Sequence, residues 1–411
     1  MSSQPAWFGQ PRGLTILFLT EMWEQFSYYG MRALLVYYMT RQLMIGQEKA
    51  SLIYGAYTAT SFFTPIFGGI IADRWLGNRR AVLIGGTIMA IGHFLMTFDS
   101  LLYVALATIA LGNGLFLPSL PSQINDLYEP HDTRRARAYN IYYVGINLGG
   151  FLAPLVCGTL GEFYGWHWGF AAAGVGMFLG LLVYVAGGKY LPVVQRVPKA
   201  ERKSAPTSKD TVLLLIGIGV AVTVFRGAYE QVGNTVALWA ETGVDRQVGN
   251  AVVPMTWFQA LNPLLVFLMT PLLLARWRKR TEPTATRKMA TGAFIVALAY
   301  ALLAGVAALA TTASWIWLVG FFVVYTWGEL HILPTGLGLF ARLAPAGLAA
   351  TTVAAWFLAT FSGSLTAGAV GTLWSSVNHA QFFAMLAALA IGAGLLLLTL
   401  DRSTSRIESE R

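Results

Sequence analysis

The sequence predicts an all-α polytopic membrane protein with twelve transmembrane helices. Of its 411 residues, 56% are hydrophobic and only 11% are charged, whereas soluble domains usually have roughly 25% charged residues. A soluble chain of this length could not bury so many apolar side chains, because much of its surface has to be polar. The apolar residues also run in long stretches, without the period-two alternation that a membrane β-barrel requires. The single cysteine, Cys157, excludes a small disulfide scaffold.

The twelve spans follow from length. A helix that crosses the hydrocarbon core needs about 20 mostly apolar residues, since its backbone polar groups must all be paired within it. Stretches of this kind cover about 14–40, 49–72, 80–98, 101–124, 138–161, 168–190, 211–240, 250–275, 288–310, 314–339, 346–374 and 379–400. Residues 1–13 lack the basic region, short apolar core and cleavage site of a signal peptide, so we expect the first span to be retained.

The net charge of +9 indicates orientation in the lipid bilayer, and we expect no nucleic-acid binding. Basic residues concentrate in the loops after spans two, four, six and eight: Arg74, Arg79, Arg80; Arg134, Arg135, Arg137; Lys189, Arg196, Lys199, Arg202, Lys203, Lys209; Arg276, Arg278, Lys279, Arg280, Arg287, Lys288. The opposite loops hold only Arg41, Lys49 and Arg246. Positively charged loops stay in the cytoplasm, so both termini are predicted to be cytoplasmic, in an inner (plasma) membrane.

The long polar segment 191–210 divides the spans six and six. It predicts an N-terminal six-helix bundle over 1–190, a cytoplasmic linker, and a C-terminal six-helix bundle over 211–411. Two six-span halves joined by a cytoplasmic linker are the layout of the major facilitator fold, in which the substrate binds near the midplane between the halves.

The loop between spans two and three, 68–80, resembles the cytoplasmic loop signature of the major facilitator superfamily. Its small residues allow close contact between helices, and its charges can pair nearby. We expect it to hold a gating interface, through the residues Gly68, Asp73, Arg74, Gly77, Arg79 and Arg80.

Ionisable residues inside apolar spans are the main candidates for function, because they are costly there. Span one carries Glu21, Glu24 and Arg32, span seven carries Arg226 and Glu230, and span ten carries Glu329. The alternative is that they are structural ion pairs between helices. A purely structural role is less plausible for all six residues together than for any one of them, because they come from spans in both halves.

Helical periodicity groups these residues. At 100° per residue, Glu21, Glu24, Tyr28 and Arg32 fall within about 80° of one another, and Gln25 lies on the same face. Such a stripe should face a cavity rather than lipid. Arg226 and Glu230 are four residues apart and are predicted to pair. Since spans one and seven are equivalent in the two halves, we expect them to face a central cavity.

The segment 21–32, Glu-Met-Trp-Glu-Gln-Phe-Ser-Tyr-Tyr-Gly-Met-Arg, resembles the span-one signature of the proton-dependent oligopeptide transporter (POT) family. Five further segments, in order along the chain, resemble signatures of the same family: 139–150, 225–233, 258–263, 329–337 and 356–358.

The resemblance implies a secondary active transporter, most simply a symporter of protons with di- or tripeptides or peptide-like compounds. Arg32 would then bind a substrate carboxylate and Glu329 a substrate amine, which suits a zwitterion in a cavity of low dielectric constant. Lining residues would be Tyr28, Tyr29, Asn147, Asn262 and Trp356. Proton coupling would involve Glu21, Glu24 and Glu230. For each aromatic residue or asparagine alone, ordinary packing is an equal alternative.

Three positions depart from the family pattern. Gln25 replaces an arginine after the second glutamate, Leu117 replaces a lysine in span four, and Arg226 replaces a tryptophan four residues before the span-seven glutamate. With fewer cations nearby, Glu21 or Glu24 should hold a proton more often than in ordinary members. Either Arg226 serves as the counter-cation and preserves coupling, or coupling weakens and the substrate differs. A guanidinium also favours a second anionic group, so Arg226 is a candidate substrate-binding residue.

Two alternatives remain open on the sequence alone: an exporter or proton-independent uniporter of another organic anion or peptide-like metabolite, and a non-transporting membrane protein with the same fold. The sequence offers no catalytic constellation and no metal-ligand spacing, so we expect neither an enzyme nor a bound cofactor. His331 should be a packing residue, and the protein is expected to be a monomer.

Overall fold

The computed structural model describes residues 9–129, 132–192, 209–278, 283–344 and 349–409. It is almost entirely helical. The helices are α1 (Arg12–Tyr37), α2 (Gln47–Ile71), α3 (Asn78–Leu95), α4 (Leu102–Asp126), α5 (Arg134–Ala153), α6 (Thr159–Tyr164), α7 (Trp166–Ala186), α8 (Lys209–Tyr229), α9 (Thr235–Thr242), α10 (Trp257–Arg278), α11 (Ala285–Leu309), α12 (Trp315–Leu343), α13 (Ala349–Gly371) and α14 (His379–Ser409). Each predicted span coincides with one of these helices or with a broken pair.

Short irregular segments join several helices. Three π-helical segments occupy Tyr38–Gln42, Ala72–Leu76 and Pro154–Gly158, and 3-10 turns occupy Asp99–Leu101, Gly188–Tyr190, Glu230–Gly233 and Thr372–Ser375. Two small strand pairs also form: Val244–Asp245 (β1) runs parallel to Ala313–Ser314 (β4), and Gln247–Val248 (β2) runs antiparallel to Ala251–Val252 (β3).

One predicted span boundary needs correction, and some predicted features lie outside the described residues. Span eight was expected from about 250, but α10 begins only at Trp257, because Gly249 adopts a positive φ of 61° and turns the chain into the β2–β3 hairpin. Most of the predicted linker lies outside the described residues, and so do these basic residues: Arg196, Lys199, Arg202, Lys203, Lys279 and Arg280.

Nine helical segments in the described ranges are long and apolar enough to cross a membrane, from Asp99–Asp126 to His379–Ile407. Helices α1 to α3 are not among them; α1 carries Glu21, Glu24 and Arg32, which lower its hydropathy. The chain is thus a helical protein of the membrane type.

Contacts divide the chain into two compact units. One comprises Met1–Leu43 with Thr60–Val197, and the other Met44–Ala59 with Pro198–Arg411. In the first unit, α1 packs on α5 and α7, and α3 packs on α4 and α7. Its core includes Leu17, Phe116 and Met177, all fully buried.

In the second unit, α11 packs on α12 and α14, α8 packs on α13 and α14, and α10 packs on α12. The first turns of α2 belong to this unit as well. There Gly55 lies against Gly368 of α13, and the Ser51 hydroxyl donates to Asn234 Oδ1 at 3.0 Å.

Gly68 of α2 lies so close to α4 that a Cβ atom at this position would overlap the carbonyl group of Gly114. We therefore expect Gly68→Ala to push the two helices apart and to destabilise the protein by about 1–3 kcal/mol. The check is the thermal unfolding temperature in detergent. Gly392→Ala is the matched control, because Gly392 in α14 has open space around its Cα and alanine is the better helix former. Equal unfolding temperatures for the two variants would contradict this packing.

Candidate functional site

Two buried carboxylates on α1 share one neutral partner. Glu21 and Glu24 are each 2% exposed. The amide nitrogen of Gln25 donates to both, at 3.2 Å to Glu21 Oε1 and 2.8 Å to Glu24 Oε2, and the Tyr142 phenol of α5 lies close to Glu21. A primary amide has two N–H groups, so one side chain can bridge two carboxylates. In the described part of the chain, the side chain that donates hydrogen bonds to both carboxylates is neutral.

Helix α5 reaches this cluster because it carries glycine where it crosses α1. A Cβ atom at Gly149 would overlap the carbonyl oxygen of Met22, and one at Gly145 would press on Phe18. Tyr142 lies on the same face of α5, one and two turns earlier, and is therefore directed at α1. Sequence reasoning did not single out Tyr142, although it lies within the matched segment 139–150.

The next turns of α1 hold an aromatic and cationic group. The rings of Tyr28 and Tyr29 meet edge to face at 5.4 Å, and the Arg32 guanidinium carbon lies 6.0 Å from the centre of the Tyr29 ring. All three side chains are partly exposed. Asn147 of α5 is buried, and its amide donates to the Tyr143 carbonyl of its own helix at 2.9 Å.

The second unit contains a buried ion pair within one helix. The Arg226 guanidinium donates to Glu230 Oε1, with side chains only 5% and 2% exposed. The predicted pairing along span seven is therefore confirmed. The Arg226 guanidinium carbon also lies 5.3 Å from the centre of the Tyr229 ring, so the cation is packed against a ring as well as paired.

Glu329 of α12 accepts hydrogen bonds on both carboxylate oxygens. The Tyr229 hydroxyl donates to Oε1 at 2.7 Å, and the Asn262 amide donates to Oε2 at 2.5 Å. Asn262 also donates to the Thr326 hydroxyl at 3.1 Å. Glu329 is thus the point at which α8, α10 and α12 meet, and neutral donors orient it.

Glu230 lies where the seventh span breaks. Helix α8 ends at Tyr229, and the 3-10 turn begins at Glu230. The carbonyl oxygens of Ala228 and Tyr229 accept hydrogen bonds from the hydroxyls of Tyr300 (2.6 Å) and Tyr325 (2.8 Å). These bonds satisfy backbone groups next to the break, which would be costly if left unpaired in an apolar span.

Two residues that the sequence analysis named, Trp356 and His331, lie outside these polar clusters. Trp356 packs on Phe340, with ring centres 5.3 Å apart, and the structure does not bring it into the polar cluster at Glu329. His331 packs against two tryptophans, and its ring nitrogen Nδ1 contacts the Trp327 carbonyl at 2.8 Å, as expected of a packing residue.

The predicted gate residues lie at the adjoining ends of α2 and α3. Asp73 and Arg74 are exposed in the π-helical segment, and Gly77, directly before α3, has a positive φ of 76° that favours glycine. Arg79 lies against Gly188 at the end of α7, and Arg80 is exposed. A structural role for this segment stays a prediction.

A profile described as POT family matches residues 79–216 and 193–386. A di-/tripeptide transporter of Lactococcus lactis subsp. cremoris is 30% identical, over 97% of this chain and 97% of its own length. The chain belongs to the POT family. Two solved members resemble it closely. A variant peptide transporter POT in complex with alafosfalin has a TM-score of 0.91 and 31% identity, covering 98% of this chain and 97% of that one. A POT family transporter in complex with 5-aminolevulinic acid has a TM-score of 0.90 and 25% identity, covering 98% of both chains.

Membership of the POT family makes the chain a multi-pass membrane transporter. The two polar clusters, each built on different elements, are then the candidate sites of coupling and recognition.

The Tyr229 hydroxyl should stabilise the fold through Glu329. We expect Tyr229→Phe to destabilise the protein by about 0.6–1.7 kcal/mol, from the average to the maximum found for hydrogen bonds between membrane helices, and so to lower the unfolding temperature. Tyr164→Phe is the control, because Tyr164 is 71% exposed. In a Glu329→Gln background the loss at Tyr229 should shrink, since the acceptor is no longer charged. Additive effects in this double-mutant cycle would contradict the bond.

Proposed function

We propose that this POT family member is a proton-coupled symporter of di- and tripeptides or peptide-like compounds that works by alternating access. The observation that carries the proposal is the pair Glu21 and Glu24, two buried carboxylates bridged by the neutral Gln25. The names of the relatives support the substrate class, since one is a di-/tripeptide transporter. We further propose a monomer with twelve spans in the major facilitator layout and both termini in the cytoplasm.

In the proposed mechanism, Glu21 and Glu24 hold the transported proton. Glu21 and Glu24 accept hydrogen bonds from the same amide nitrogen, so they lie close together. If both were ionised they would repel each other, and burial removes the water that would screen the two charges. The pair is therefore expected to share at least one proton. Gln25 can donate to both carboxylates whichever of them is ionised, so it keeps the geometry while the proton is gained or lost.

Substrate recognition is proposed to use opposite charges. Arg32, placed over the Tyr29 ring, would bind the peptide carboxylate, and Glu329 would bind the amine. Tyr229 and Asn262 hold Glu329 in a fixed orientation, so recognition of the amine requires little rearrangement. The remaining lining residues of the proposal are Tyr28, Tyr29, Asn147, Asn262 and Trp356.

Export or proton-independent transport of another organic anion is the second candidate. Gln25, Leu117 and Arg226 favour it, because they remove or relocate cations of the family pattern. Pairing of Arg226 with Glu230 weighs against a second anionic group of the substrate at this residue, since that group would have to displace a buried carboxylate.

Uptake into proteoliposomes tests the proton coupling. We expect an inward proton gradient to stimulate uptake of dialanine by the wild type, because protonation of the Glu21–Glu24 pair accompanies transport. Glu24→Gln should abolish this stimulation and spare counterflow exchange. Glu48→Gln, which changes an exposed glutamate of α2, is the control. Wild-type uptake that is indifferent to the gradient would support the uniporter.

Substrates with altered end groups test whether Arg32 binds the peptide carboxylate. Dialanine amide lacks the carboxylate, so we expect the wild type to transport dialanine at least tenfold better than the amide. Each charge-assisted hydrogen bond is worth about 1.5–3 kcal/mol, of which 1.4 kcal/mol is tenfold. Arg32→Gln should lose most of this preference. If Arg32→Gln lowers both rates and keeps the preference, Arg32 does not bind the carboxylate.

A further inference from the structure

A pocket at one end of the first unit lies outside both polar clusters. We propose that this pocket binds the phosphate group of an anionic membrane phospholipid through Arg12 and Lys189. The proposal goes beyond the proposed function, because its ligand belongs to the surrounding bilayer and its residues are none of those assigned to substrate or protons. With both termini in the cytoplasm, as proposed, the lipid is one of the cytoplasmic leaflet.

The position of the pocket suits a lipid headgroup. It has a volume of about 560 Å³ and lies where α1 begins, where α4 ends and just beyond the end of α7. The charged and aromatic side chains that line it are Arg12, Asp126, Lys189 and Tyr190. Because the ends of membrane-spanning helices lie at the level of the polar headgroups, a ligand of this pocket meets the protein at the surface of the bilayer.

Two cations from different elements converge on one aromatic ring. The guanidinium carbon of Arg12 lies 5.5 Å from the centre of the Tyr190 ring, and the ammonium nitrogen of Lys189 lies 5.1 Å from it. Both side chains are exposed, and no carboxylate in the described ranges forms an ion pair with either of them. The two groups together present several charged N–H donors, which phosphate oxygens accept well.

The backbone around the two cations is fixed by packing. Gly13 allows α1 to approach its neighbours, because a Cβ atom there would overlap Leu127 and press on the Tyr190 carbonyl oxygen. Just before α1, the buried Gln10 accepts a hydrogen bond from the Tyr128 hydroxyl at 2.8 Å. The pocket therefore exists before any ligand binds, which lowers the entropic cost of binding.

The exposed face of α7 favours a lipid over a free phosphate ion. Val175, Phe178, Leu182 and Val185 recur every three or four residues and are between 47% and 61% exposed. This spacing places them on one face of the helix, while α1 and α3 pack on α7 elsewhere. Lys189 follows Val185 by four residues. Acyl chains can therefore lie along this face while the phosphate of the same molecule reaches the pocket.

The carboxylate of Asp126 determines how strong the preference should be. It lines the same pocket, so the lining charges are two cations and one anion. One lysine or arginine near an anionic lipid surface is worth about fivefold in affinity, which corresponds to about 1 kcal/mol. The single net positive charge should therefore favour an anionic over a zwitterionic headgroup about fivefold, and removal of the carboxylate should increase this preference.

Native mass spectrometry of the purified protein tests the proposal by direct competition. Phosphatidylglycerol and phosphatidylcholine with acyl chains of distinguishable mass are added in equal amounts, and the ratio of their one-lipid adducts is measured. We expect a ratio of about five for the wild type, a fall to about one for R12Q/K189Q and a rise for D126N. A wild-type ratio of one would overturn the proposal.

The matched control is R287Q/R402Q, which removes two exposed arginines from the second unit. We expect it to keep the wild-type ratio. Equal losses in the two double variants would overturn the proposal, because the preference would then come from the overall charge of the protein surface. Since Arg12 and Lys189 are exposed, R12Q/K189Q should unfold at the wild-type temperature in detergent without added lipid, which separates lost binding from misfolding.

Inorganic phosphate distinguishes a lipid from a free anion, since it supplies the same oxygens without acyl chains. A ligand of the native state raises the unfolding temperature, so we expect phosphatidylglycerol to raise it in the wild type and inorganic phosphate to leave it unchanged. An equal rise with inorganic phosphate that is lost in R12Q/K189Q would overturn the lipid assignment in favour of a soluble anion. These measurements involve no transport, so their failure is distinct from a failure of the proposed symport.

Discussion

The balance of buried charge is the constraint on which the rest of the structure depends. An ionisable side chain at the centre of an apolar span costs about 2.5–3.5 kcal/mol on insertion scales, so it persists only with a partner. The chain meets this requirement in two ways. In the first unit a neutral amide bridges two carboxylates, and in the second a guanidinium neutralises one carboxylate while neutral donors hold another.

These two solutions have different consequences for transport. A carboxylate pair bridged by Gln25 can change its proton content with little rearrangement, because the amide donates to either oxygen. The ion pair of Arg226 and Glu230 lies at the helix break next to Tyr229, whose hydroxyl donates to Glu329. In the proposed mechanism, proton exchange and amine recognition therefore belong to separate clusters, each within its own unit.

Helical periodicity was sufficient to predict the charged stripe of α1 and the pairing of Arg226 with Glu230, because both depend on spacing within one helix. The helix break at Glu230 was not predictable in the same way. It depends on Tyr300 and Tyr325, which lie 72 and 96 residues from the carbonyls that they bind. An isolated tyrosine in an apolar span carries no local signal of its partner. Tyr142 was missed for the same reason, since its contact with Glu21 requires the crossing of two helices.

The resemblance to the POT family predicted the family and several site residues, which helical periodicity alone does not predict. Six matched segments pointed to the family that the comparisons establish, and they named Asn262 and Glu329 as site residues; the structure shows the Asn262 amide bonded to Glu329. Trp356 is a residue for which the role implied by the family resemblance is not supported by its contacts. Its ring packs on Phe340, so its place in the substrate pocket stays a proposal.

The most direct measurement follows protons rather than peptide. Proteoliposomes that enclose a pH indicator are given an inward gradient of dialanine with no imposed proton gradient. If the chain is a proton-coupled peptide symporter, the lumen should acidify as the peptide enters, and Glu24→Gln should abolish the acidification. Peptide entry without any change of internal pH would contradict the proposed coupling.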